Sequence, residues 1–101
     1  MTNPPPRNHK ITVAEARALM ARRPRALTTN GGHFPREAYE AILNQPGCAG
    51  IRFYYGANAD GSPAIVLVGI DASGADMTAG EIIDTHYPCP PFCDDGSELR
   101  K

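Results

Sequence analysis

The stretch Ala64-Ile65-Val66-Leu67-Val68-Gly69-Ile70 constrains this chain more than any other, because it carries no polar side chain and as a strand needs cover on both faces. It belongs at the centre of a sheet. Little is on hand to cover it: Leu, Ile, Val and Phe number 18 of the 101 residues, near the level at which chains stop folding. Disorder also needs a high net charge, and ten Lys and Arg against eleven Asp and Glu leave only −1. A small, loop-rich folded core is expected, and the length suits one domain.

The pattern around that strand predicts an α+β fold, two N-terminal helices packed on a small antiparallel three-stranded meander. Residues 1–10, with Pro4-Pro5-Pro6, read as a disordered, proline-rich arm, and residues 11–101 as a single α+β domain. Thr12-Val13-Ala14-Glu15 has the form of a capping box and opens a helix from about Val13 to Arg23, stopped by Pro24. Val13, Ala16, Leu19 and Met20 form its apolar stripe. Pro35 starts a second helix that runs to about Asn44, with Ala38, Tyr39, Ile42 and Leu43 on its apolar side. From Gly50 the period becomes alternating: Ile51, Phe53 and Tyr55 share one face of a strand, Arg52 and Tyr54 the other. Asp60-Gly61 turns the chain into the apolar strand, and Glu81–Thr85 is long enough for a short third strand, whose place beside the first or the second is left open.

His86, Cys89 and Cys93 form His-x2-Cys-x3-Cys, with prolines fixing the intervening backbone. Three readings stand side by side. The cysteines are free thiols under a proline-rich cap, or a Cys89 to Cys93 disulfide, or part of a zinc site that takes His86, Cys89, Cys93 and a fourth ligand. Cys48 is the chemically natural fourth donor. A meander, however, puts the start of its first strand and the end of its third at opposite sheet ends, about 20 Å apart for roughly six residues, and Asp94, Asp95, water or a second chain then remain as donors. The distance objection lapses if the third strand lies beside the first. A thiol catalyst is the poorer chemical option, because no helix N-terminus follows the pair and Asp94-Asp95 disfavours a thiolate. By itself Cys48, between Gly47 and Ala49, reads as a small buried residue, and His33 as a loop residue.

Charge is split along the chain. Residues 1–52 carry eight basic and three acidic side chains, residues 53–101 two and eight, so the halves are +5 and −6. Arg17, Arg22, Arg23 and Arg25 crowd the end of the first helix, where positive charge suits the helix dipole. The short basic patch, the acidic second half and the lack of interleaved aromatics weigh against nucleic acid. A protein partner or a homodimer that sets basic against acidic fits better, with an exposed Tyr54 supplying apolar area. There is no phosphate loop, nucleophile motif or paired helical histidines, so the reading leans away from an enzyme. No run approaches the apolar length of a membrane span or a secretory signal, which makes the cytoplasm the expected compartment.

Gln45-Pro-Gly-Cys-Ala-Gly-Ile-Arg-Phe-Tyr-Tyr-Gly56, Ile65-Val-Leu-Val-Gly-Ile-Asp71 and Pro88-Cys-Pro-Pro-Phe-Cys93 together resemble a group of small bacterial proteins of uncharacterised function. These share a Gly-Cys-x-Gly-Ile-Arg core, a Leu-Val-x-Val-Gly-x-Asp strand and a terminal Cys-Pro-Pro-x-Cys. The resemblance implies a bacterial cytoplasmic origin and assigns no catalytic residue or cofactor. The function expected is that of a small non-enzymatic binding protein, with a zinc or thiol-redox module on His86, Cys89 and Cys93 as the first alternative, and nucleic-acid binding by the arginine-rich helix as the second.

Overall fold

A computed structural model describes residues 4–24, 29 and 31–100. In chain order the elements are helix α1 (Val13–Ala21), strand β1 (Gly31–His33), helix α2 (Arg36–Leu43), strands β2 (Gly50–Ala57), β3 (Pro63–Ile70), β4 (Ile82–Ile83) and β5 (Tyr87–Cys89), and a 3-10 turn η1 (Glu98–Arg100). The chain is α+β: two helices, a three-stranded antiparallel sheet ordered β2-β3-β4, and a two-stranded sheet of β1 and β5. Pro4–Lys10 are exposed and form neither helix nor strand. The described residues gather in two compact units, one of Pro4 with His33–Tyr87 and the other drawn from Pro5–Gly32 and Pro88–Lys101.

In the first unit β2 and β3 form a hairpin in continuous register from Gly50 opposite Ile70 to Ala57 opposite Pro63. Asp60 fixes its turn, its Oδ1 accepting from the Ser62 N–H at 2.9 Å and the Ser62 hydroxyl at 2.6 Å, while Gly61 takes the positive φ of 87° that the turn needs. The next turn is built the same way, with Asp71 Oδ1 accepting from Ser73 and Ala75 N–H groups. The third strand lies beside the second, pairing Leu67 with Ile83 and Val68 with Ile82. It is shorter than the five residues expected, ending at Ile83, and Thr85 shortly after it adopts a φ of 65°, a left-handed backbone rare for a β-branched residue. As the apolar pattern required, β3 is the central strand, and it holds the buried Leu67 and Val68.

The register sorts the sheet into two faces. Ile51, Phe53, Tyr55, Ile65, Leu67 and Gly69 lie on one; Arg52, Tyr54, Val66 and Val68 lie on the other. Helix α2 rests on the first face at its Gly69 end, and its Ile42 is the one fully buried side chain among the described residues. A methyl group at Gly69 would stand 3.0 Å from Gln45 Nε2, 3.2 Å from Cys48 Sγ and 3.2 Å from Ile42 Cγ2. Helix and strand meet closely there, and a Cβ would require these side chains to give by a few tenths of an ångström. Gln45, just past α2, locks the approach: its amide donates to the Ile42 carbonyl at 2.9 Å and its Oε1 accepts from the Glu81 N–H at 2.9 Å. A Cβ at Gly80 would overlap that same oxygen.

In the second unit α1 is capped as the sequence predicts. The Glu15 N–H donates to Thr12 Oγ1 at 3.1 Å and the Thr12 N–H to Glu15 Oε1 at 3.2 Å. It ends at Ala21, two residues earlier than expected, with Arg22 as its C-cap. The expected stripe is only half realised: Ala16 and Met20 are half-buried, while Val13 and Leu19 are more than half exposed. Within this unit α1 packs against η1, with Arg17 3.9 Å from Glu98.

Ile42→Ala should cost about 2–5 kcal/mol, the usual range for emptying a filled core site. Gly69→Ala should cost about 1–3 kcal/mol through overpacking. Urea unfolding checks both, and a neutral Gly69→Ala would contradict the close approach.

Candidate functional site

Cys89 and Cys93 are joined by a disulfide with their α-carbons 4.8 Å apart. The ring they close contains Pro90, Pro91 and Phe92, and the Cys89-Pro90 and Pro90-Pro91 peptides are cis. Inside it the Phe92 N–H donates to the Pro88 carbonyl at 2.9 Å and the Cys93 N–H to the Pro91 carbonyl at 3.0 Å. The Thr29 hydroxyl donates to the Cys89 carbonyl at 2.8 Å, tying the ring's first residue to a segment sixty residues earlier.

The zinc set considered for His86, Cys89, Cys93 and Cys48 is not assembled. Two of its thiols are spent in the disulfide, and a disulfide sulfur is not the thiolate that zinc binds. Among the described residues no group of three or more His, Cys, Asp or Glu side chains is placed to hold a metal. His86 is half-buried and faces the Phe34 ring at 6.2 Å. Cys48 is a half-buried thiol outside any disulfide; it donates to the Gly50 carbonyl at 3.2 Å and packs where a Gly69 side chain would be. It is part of the helix-to-sheet contact, and it is half-buried where its size and neighbours suggested a buried residue.

Arg22 and Arg23 follow α1 and are exposed, and Arg17 is partly exposed beside Glu98. Arg25 lies outside the described residues. Tyr54 is 47% exposed, but its hydroxyl is engaged. It donates to Asp76 Oδ2 at 2.5 Å, while Arg52 donates to Asp76 Oδ1 at 2.6 Å and to the Gly74 carbonyl at 3.0 Å. Asp76 bridges to Ile70 on the β4 side of β3. Arg52 and Tyr54 therefore clamp β2 to the 71–76 turn, on the face of the buried Val68. The bonds from Tyr54, then from Arg52, hold the Asp76 carboxyl below its ordinary range. The same carboxylate raises the Tyr54 phenol and the Arg52 guanidinium. Asp60 and Asp71 are also lowered, chiefly by the Ser62 and Ser73 hydroxyls.

The opposite face carries the feature that the sequence reading missed. Phe53 and Tyr55, assigned there with Ile51 to a shared apolar face, are 57% and 82% exposed, with rings edge to face at 5.6 Å. A length comparison could have found them. The eight residues of α2 span about 12 Å as a helix, and the eight of β2 reach about 26 Å as a strand. The helix covers the Gly69 end and leaves the hairpin end open. β2 is also an edge strand of its sheet, with no charged side chain but Arg52. Charge divides with the units: by sequence His33–Tyr87 carries two basic and seven acidic side chains, net −5, and Pro5–Gly32 with Pro88–Lys101 eight and four, net +4. No helix among the described residues is long and apolar enough to cross a membrane.

Comparison with protein-family models, with curated proteins and with solved structures finds no match to this chain.

Because Asp76 titrates lower in the folded chain than at its ordinary 3.8, its contribution to stability is present above that pH and is lost as the pH falls through the lowered value. Asp76→Asn should destabilise the protein near neutrality and make its loss of stability on acidification shallower. Asp60 and Asp71 keep the remainder. Urea midpoints across the acid range check this, and identical slopes for the two proteins would contradict it.

Proposed function

We propose that this is a small binding protein, not an enzyme, that works by associating through the open aromatic end of its three-stranded sheet. The observation that carries this reading is the Phe53–Tyr55 pair, set edge to face and left in solvent on an edge strand whose one charged side chain, Arg52, is held by Asp76 on the other face. Edge strands so little guarded by charge invite a partner. A second copy of the chain is the occupant that charge favours: the pair sits in the unit of net −5, and the other unit, net +4, presents Ile11, Val13 and Leu19 to solvent and carries the exposed Arg22 and Arg23. Each copy thus offers an acidic apolar surface and a basic apolar one, and the two attract when they come from different copies. Like surfaces set face to face would repel.

Native mass spectrometry and sedimentation at low salt should show a dimer that dissociates as salt is raised. Phe53→Ser with Tyr55→Ser should weaken it at least tenfold. Both side chains are exposed, so the fold should change in stability by only about 0.5 kcal/mol each. A strict monomer at high concentration in low salt sinks the self-association reading.

A further inference from the structure

The Cys89–Cys93 ring is poorly suited to be only a staple. A crosslink stabilises mainly by removing freedom from the unfolded chain, and it removes least when the bridged residues are close; here they are four apart. Among the described residues the buried hydrophobic side chains, Ile42, Leu67 and Val68, all belong to the unit that does not contain the ring. Both cysteines are only half-buried, and Pro88, Pro90, Pro91, Phe92, Asp94 and Asp95 around them are exposed. The bridge is within reach of another protein's thiol.

We propose that Cys89 and Cys93 form a reversible thiol–disulfide exchange site whose reaction partner is a dithiol. One thiolate of the dithiol attacks a ring sulfur, forming a mixed disulfide and expelling the other cysteine, which takes up a proton. The second thiol of the dithiol, deprotonated, then attacks its own sulfur in the mixed disulfide and releases the second cysteine, which is protonated in turn. Two electrons and two protons pass to Cys89 and Cys93, and the dithiol becomes a disulfide. Cys89 is held through the cycle by its place in β5 and by the Thr29 hydroxyl; Cys93 is the side that moves. Asp94 and Asp95 follow Cys93 in sequence, and Asp95 is paired with Arg100 at 2.9 Å. A dithiol, whose second thiol acts within the same molecule, is the reductant suited to the Cys89–Cys93 bridge.

The test uses the full chain, folded and without denaturant, with dithiothreitol as the dithiol. After incubation the thiols are tagged with iodoacetamide and mapped by mass, while circular dichroism reports the fold. The expected result is tagging of both Cys89 and Cys93 with the circular dichroism unchanged, and return of the bridge when the reductant is removed. Two results overturn the proposal: a bridge that opens only in denaturant, or an opening that unfolds the chain. A dimer lost or kept in the same samples bears on the association reading and leaves this one standing on its own.

Discussion

Everything in the sheet-bearing unit hangs on how closely α2 can approach β3. Gly69 leaves room for Ile42, Cys48 and the Gln45 amide at the same place, and that place is where the one fully buried side chain among the described residues sits. With so few large aliphatic residues in the chain, a core of this kind cannot be extensive. Contact distance substitutes for contact area. Gln45 then passes the constraint onward: one of its bonds closes the end of α2 and the other fixes the chain at Glu81, immediately before β4. A single polar side chain thus couples the helix end to the third strand, and the closeness of Gly80 to its oxygen shows how little slack remains.

The other face of the sheet carries a polar clamp. Arg52 and Tyr54, two apart on β2 and therefore on the same side, divide the two oxygens of Asp76 between them. Their bonds tie β2 to the residue that bridges to Ile70 beyond β3, on the face where Val68 is only 3% exposed. One face is closed by packing at one end and the other is held by this clamp. What is left over is the hairpin end of the first face, and it is aromatic.

Much of this was readable in the amino-acid order. The capping box at Thr12 and Glu15, the change of period at Gly50 and the double-sided apolar run of β3 each depend on neighbours in sequence, and each is found where local chemistry puts it. The features that escaped depend on contacts far apart in the chain. Strands β1 and β5 are three residues each and flanked by turn formers, so nothing local marks them until they pair. Tyr54 was recognised as lying opposite Phe53, but its hydroxyl bond to a residue 22 positions later was not. Val13 and Leu19 fit a helical stripe and remain exposed, because spacing specifies a face and not whether anything covers it. The cysteines posed the same problem, since a His-x2-Cys-x3-Cys spacing serves a metal, a disulfide or free thiols equally, and the observed bridge depends on the path of the intervening backbone.

The central claim is that the open aromatic end of the sheet and the basic surface around α1 are where copies of this chain meet. Hydrogen exchange of the full chain at two protein concentrations in low salt tests it most directly. The account predicts protection that rises with concentration in β2 around Phe53–Tyr55 and in α1, with the Ile42 and Gly69 region unchanged. Exchange that is the same at both concentrations throughout β2 and α1 would contradict it.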